Sequence, residues 1–355
     1  MAEIMPFKGV LYNADKVGSL KKVMAPPYDV ISPKMQDELY ARHPNNIVRI
    51  ILSKAAPDDA PGSDKYSRAA SDLKDWVLNG VLVKDVHPSI YYYIQRYALK
   101  DGSKIKRKGF ISLVRLAELG VGIHAHEQTL SGPKADRLRL MQACNANLSP
   151  IFSLYSDPRL YVNRLLDAAA DKGRPVVDVE DDNGVENIIW RVDDADIIRE
   201  VSALMAGKAL FIADGHHRYE TALNYRNLMR EKNPHPTGLE PYNYVMMYFS
   251  NMDSEGMTIW PTHRVIHGLA GFDGDNLLKE CARYFDMQEF RFAGADEPRA
   301  REAFLKGMEE AGRRTTAIGL HIRARNAYHV MTLKEKETGN LGAGIPEVFK
   351  SLDVT

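Results

Sequence analysis

The stretch "KALFIADGHHRYETALNYRNLMREK", Lys208–Lys232, decides the class of fold. Its apolar run, Ala209-Leu210-Phe211-Ile212, stops abruptly at Asp214-Gly215, as a short buried strand does at a turn. Beyond the turn, Tyr219, Ala222, Leu223 and Met229 recur at roughly helical spacing and supply one buried stripe. A strand that runs through a glycine directly into a helix is the basic step of an α/β protein. Between the two stand an acid, a glycine, two imidazoles and a guanidinium in five consecutive positions, Asp214-Gly215-His216-His217-Arg218.

Working outward, the same grammar repeats. "FKGVLYN" reads as a first strand, and the loop "MAPPYDVISP" leads into a helix with Ser32 as N-cap and Pro33 at its first position. "IVRIIL" reads as a buried strand, followed by the loop "DDAPGSD" and an amphipathic helix that Gly80 terminates. "SIYYYIQRYAL" and "KIKRKGFISLVRL" form a hairpin about Asp101-Gly102. A helix opening at Pro133, the strand "PIFSLYS", a further helix, the strand pair "RPVVDVED" and "NIIWRV", and the helix "DADIIREVSALMAGK" lead to Lys208. "YNYVMMYFSN" and "MTIWPTHRVI" are apolar enough for central strands. After Gly271 helices alternate with the hairpin "AIGLHIRA" and "AYHVMTLK". The expected fold is mixed α/β (α+β): a mixed sheet core with flanking helices over residues 1–270, and a smaller C-terminal α+β subdomain over 271–355.

Bulk properties narrow the class of function. The 355 residues are 45% hydrophobic, enough for a large core and about two domains. Lys and Arg number 47, as do Asp and Glu, so no global field draws the chain to nucleic acid or anionic lipid. The basic segment "LKDGSKIKRKGF" is explained by its solvated hairpin turn, and a nucleic-acid partner is disfavoured. Two cysteines, Cys144 and Cys281, rule out a disulfide framework. The start carries no basic region followed by an apolar core, and no apolar run approaches the roughly 18 residues of a membrane span. A cytoplasmic protein without membrane partners is expected.

Three motifs bear chemistry. At Asp214–Arg218 a helix start offers backbone N–H groups and a partial positive charge to an anion. There Gly215 lets a ligand approach, Arg218 can clamp a phosphate, and His216 or His217 can donate to a bridging oxygen. Asp214 can orient a histidine, bind Mg2+ or act as base. The plain alternative is an Asp N-cap on an ordinary helix, but it leaves three cation-capable side chains at the positive end of a helix dipole unexplained. The second motif is "GIHAHEQTLSGPKADRLRL". His124, His126 and Glu127 resemble a zinc complement, though no third histidine stands at a usual spacing. Otherwise Glu127 is a base, Lys134 and Arg137 are phosphate contacts, and Asp136 orients one of them; a surface helix with charge pairs explains the same residues. The third comprises "APPYDVISP", presenting Tyr28 and Asp29, and "RHPNNIVRI", with Asn46 and Arg49 at a turn where ordinary turn chemistry also suffices. Beside these, "WPTHRVI" places His263 and Arg264 within an apolar strand, where they need partners. GxxxxGK[ST], GxGxxG, GxSxG and HExxH are all absent.

Taken together, "MAPPYDVIS", "HPNNIVRI", "HAHEQTLSGPKADRLRLMQACNANLSPIFSLYSD", "LFIADGHHRYETAL" and "PTHRVI" resemble the prokaryotic family catalogued as domain of unknown function 1015, over nearly the whole length. Members of that family continue beyond "LDVT", so the resemblance implies a C-terminal subdomain that is truncated or short. The Asp-Gly-His-His-Arg block is also similar to the phosphate-binding motif of the ParB–sulfiredoxin superfamily, which includes an ADP-dependent free-serine kinase. That likeness implies nucleotide-phosphate contacts at Gly215, His216, His217 and Arg218, with Asp214 as the catalytic or Mg2+-binding acid. The expected function is phosphoryl transfer or phosphate-ester chemistry on a small hydroxyl-bearing metabolite such as serine, with Mg2+ and ADP or ATP. Glu127 or Asp29 would activate the hydroxyl. The alternatives are a ParB-related nucleotide-binding module and a zinc-dependent hydrolase.

Overall fold

A computed structural model describes residues 2–99, 101–126, 131–257, 263–323 and 325–334. The chain divides into two compact units, Met1–Ile259 and Trp260–Thr355.

The strands of the first unit are β1 (Ile4–Met5), β2 (Val10–Tyr12), β3 (Leu82–Lys84), β4 (Ile90–Ala98), β5 (Lys104–Arg115), β6 (Ile123–His124), β7 (Ile151–Tyr155), β8 (Val177–Glu180), β9 (Glu186–Val192), β10 (Leu210–Asp214) and β11 (Tyr244–Asn251). Nine of them build one sheet in the order β6-β10-β7-β11-β5-β4-β9-β8, with β1 added alongside β5, while β2 and β3 pair separately. β10 runs parallel to β6 and β11 parallel to β7; the remaining pairings are antiparallel, so the sheet is mixed. The hairpin read about Asp101-Gly102 is the β4–β5 pair.

The helices of this unit are α1 (Ala14–Val17), α2 (Leu20–Val23), α3 (Pro33–Arg42), α4 (Val48–Ile51), α5 (Lys65–Leu78), α6 (Ser131–Cys144), α7 (Tyr161–Ala170), α8 (Ala195–Ala206) and α9 (His216–Lys232). Alternation along the strands puts Ile90, Tyr92 and Ile94 of β4, Phe110 and Val114 of β5, and Val245, Met247 and Phe249 of β11 into one core. Against them pack Val162 and Leu166 of α7, Val201 and Met205 of α8, and Tyr219, Ala222 and Leu223 of α9. The caps follow local chemistry. Ser32 accepts from the N–H of Met35 with Pro33 inside the first turn of α3, and Asp64 closes a capping box with Ser67 on α5.

The second unit contains α10 (Gly274–Tyr284), β12 (Phe285–Arg291), α11 (Glu297–Gly312), β13 (Ala317–His321) and β14 (Ala327–Leu333). Its sheet order is β12-β14-β13, antiparallel throughout, and Phe304 and Ala311 of α11 share a small core with Val330.

Two readings of the sequence are corrected. "IVRIIL" is the one-turn helix α4, not a strand. The Asn46 carboxamide oxygen accepts the N–H of Val48 and starts the turn, and a short apolar run cannot by itself distinguish buried helix from buried strand. In "MTIWPTHRVI", positions 258–262 lie outside the described residues. His263 and Arg264 are exposed and belong to no strand, so water meets the need for partners that burial would have created.

Candidate active site

The turn from β10 into α9 is built around a folded-back arginine. The register of β10 against β7 shifts between Ile212 and Asp214, which re-aims the strand end. Gly215 follows with φ 96° and ψ 28°, a left-handed conformation that suits glycine. A Cβ there would sit 2.9 Å from Cζ and Nε of Arg218. The glycine thus lets the guanidinium lie back over the turn, where it donates to the Asp214 carboxylate and to the Pro150 carbonyl. The N-cap of α9 is Gly215 and no side chain caps the helix, so the plain reading of Asp214 as an N-cap does not describe it. Asp214 is an ion-pair partner of Arg218.

Helix α6 brings a second arginine to the same place. Arg137 donates through Nε (2.9 Å) and Nη2 to Oδ2 of Asp136, and through Nη1 to the Ile51 carbonyl at 2.7 Å. Its guanidinium stacks over the Tyr28 ring at 4.1 Å. Asp136 also accepts from Lys65 at 2.6 Å and from the Tyr66 hydroxyl at 2.7 Å. Burial raises the pKa of Asp136, but the hydrogen bond from Lys65 and the charge and hydrogen bond of Arg137 outweigh it and hold the acid down at about 2. Lys134 reaches Glu220 of α9 at 2.7 Å, tying the two helices together.

Histidines join the preceding strand to the same turn. His216 is buried, and its Nε2 accepts the backbone N–H of His126 at 3.3 Å, with the two rings edge-on at 4.5 Å. That bond ties His216 to the chain after β6. His124 instead stacks on Phe211, its cross-strand neighbour. His124 and His126 are therefore engaged with different neighbours. Among the described residues no group of three or more His, Cys, Asp or Glu side chains is placed to hold a metal ion. Of the residues read as a zinc complement, Glu127 lies outside the described residues, and Asp214, read as an Mg2+ ligand, is paired with Arg218.

The remaining candidates separate cleanly. His217 is half-buried in the first turn of α9, Asp29 is exposed, and Glu127 lies outside the described residues. Asn46 is fully buried; its amide donates to the carbonyls of Lys22 and Met24, which makes it a loop fastener. Arg49 donates to the Tyr40 carbonyl and lies over the Tyr40 ring at 4.3 Å, held within its own segment.

What converges is a shallow, solvent-open cleft, lined by Tyr28, Arg137 and Arg218 and by a wall that includes Ile51, Leu140 and Val245. The guanidiniums are largely buried, with side chains 10% exposed for Arg137 and 15% for Arg218. Each is paired with a carboxylate, and a planar guanidinium so held presents its remaining N–H groups in a fixed fork. Of the five N–H donors on each, three of Arg137 and two of Arg218 are engaged among the described residues, so both are held rigidly with donors to spare. Sequence reasoning missed Lys65, Tyr66, Glu220 and Thr221. Lys65 and Tyr66 follow a readable helix cap, but their service to Asp136 depends on the packing of α5 against α6.

A family model described as "Protein of unknown function (DUF1015)" matches residues 4–355. Searches of the curated proteins and of the solved structures each returned no match.

Proposed function

From the premise that the chain belongs to the DUF1015 family, whose description assigns no activity, we propose that it is a phosphotransferase acting on a small hydroxyl-bearing metabolite such as serine, with ADP or ATP as donor. One observation carries the reading: Arg137 and Arg218, from different helices, line one cleft, each paired with a carboxylate of its own segment and each with donors unengaged among the described residues.

Phosphoryl transfer asks little covalent chemistry of a protein. It needs positioned reactants and donors where charge spreads over the phosphoryl oxygens. Arg218 and Arg137 supply forked donors, and the start of α9 adds a favourable dipole beside Gly215. Because Asp136 and Asp214 hold the guanidiniums in place, little reorganisation remains for the moment of reaction. Lys134, bonded to Glu220, braces α6 against α9 and contributes charge. His217 donates to a bridging oxygen, and Glu127 or Asp29 takes the hydroxyl proton. Mg2+, if bound with the nucleotide, would supply neutralisation of phosphate charge, with Asp214 as the residue of this chain that would hold it. The short-motif likeness to the ParB–sulfiredoxin superfamily supports the same reading.

The test is direct. Purified protein is incubated with ADP or ATP, Mg2+ and a panel of hydroxy amino acids, and nucleotide turnover and phosphorylated product are measured. We expect turnover that His217→Ala abolishes with the melting temperature nearly unchanged. Arg218→Lys, which keeps the charge but loses the fork, should lower it by about 10- to 100-fold. Thermal stabilisation by nucleotide without product would favour a nucleotide-binding regulatory module. Neither turnover nor stabilisation would end the proposal.

A further inference from the structure

The cleft is chemically two-sided. Its lining joins Arg137, Arg218 and the Tyr28 ring to aliphatic residues that include the buried Ile51, Leu140 and Val245, with Asn147 and Ser149 as further polar groups. Serine or any other small hydroxyl metabolite is polar on every side and would leave that aliphatic wall facing it. A ligand that fits both parts carries an anionic group joined to a flat or apolar body.

A second observation falls in the same place. Thr221, one turn beyond His217 on α9, lines the cleft and is 1% exposed, yet its hydroxyl has no hydrogen-bond partner among the described residues. Leaving such a group unpaired costs about 1–3 kcal/mol, and buried polar atoms are satisfied in the great majority of native structures. An orphan hydroxyl beside two cationic side chains is the signature of a group whose partner belongs to the ligand. A nucleobase combines the required features: apolar faces for the aliphatic wall, and an edge of donors and acceptors that a hydroxyl can serve either way.

Resting on the reading of the site as a nucleotide site, we propose that the aliphatic part of this cleft is the nucleobase pocket and that Thr221 bonds the base edge. The pocket thereby selects for a nucleoside polyphosphate over a bare polyphosphate.

The experiment compares ADP, inorganic pyrophosphate and ribose 5-phosphate on the full chain by calorimetry. The wild type should bind ADP at least tenfold more tightly than either fragment. Thr221→Val, nearly isosteric, should weaken ADP by about five- to tenfold, the equivalent of one hydrogen bond, while leaving pyrophosphate unchanged. Thr221→Ser, which restores the hydroxyl, should bind ADP as the wild type does, and melting curves show that each variant is folded. If Thr221→Val binds ADP like the wild type, or pyrophosphate binds the wild type as well as ADP does, the base pocket is wrong while the phosphate site stands. If none of the three ligands binds, both readings fail together.

Discussion

At the scale of single residues, Gly215 is where conformation and chemistry meet. Its positive φ turns the chain from β10 into α9, and its missing side chain leaves room for the Arg218 guanidinium. Gly215→Ala therefore carries two penalties: strain in a left-handed conformation, and displacement of the guanidinium. We expect a loss of about 1–2 kcal/mol in stability, read as a drop of a few degrees in melting temperature, and weaker pyrophosphate binding. A variant with unchanged melting and unchanged anion affinity would show that Arg218 does not need the space. The presence of an unusual turn at 214–218 was legible in the residues themselves, because histidines and an arginine at a helix start break a local rule. The purpose of the glycine was not, since the atom that fills the vacated space comes from three residues further on.

At the scale of elements, the decisive contacts join helices distant in sequence. Asp136 on α6 accepts from Lys65 and Tyr66 on α5 and from its neighbour Arg137, and Lys134 reaches Glu220 on α9. The acid of this network is held at about 2, well below an ordinary carboxylate. A depressed carboxylate contributes stability that is present above its unfolded pKa, near 4, and lost as the pH falls through its folded pKa. With one unit worth 1.36 kcal/mol, Asp136→Asn should cost about 2 kcal/mol at pH 7, and its stability gap to the wild type should close between about pH 4 and pH 2. Denaturant unfolding as a function of pH measures this; a constant gap across that window would mean that the network does not titrate with folding. The same scale explains the misread element. Asn46 and Arg49 looked available at a turn entering a strand, whereas the fold engages them with the carbonyls of Lys22, Met24 and Tyr40.

At the scale of the whole molecule, the cleft residues all fall within the first unit, on elements supported by the nine-stranded sheet. Residues 2–257 expressed alone should accordingly fold cooperatively and retain pyrophosphate binding within about threefold of the full chain. A fragment that melts without a transition, or binds at least tenfold more weakly, would show that the second unit takes part. No helix among the described residues is long and apolar enough to cross a membrane.

By itself the amino-acid sequence determined what short-range periodicity and turn chemistry control: the alternation of strands and helices, the hairpin about Asp101-Gly102, the cap at Ser32, and the chemical oddity of the 214–218 turn. These depend on neighbours within one or two turns of chain. Only the tertiary structure decided which charged groups meet. Arg137 and Arg218 stand eighty-one positions apart in the chain, and nothing local to either dictates that α6 packs against α9. The order of strands in the sheet sets that meeting, and with it which arginines share a cleft and which, like Arg49, are held elsewhere.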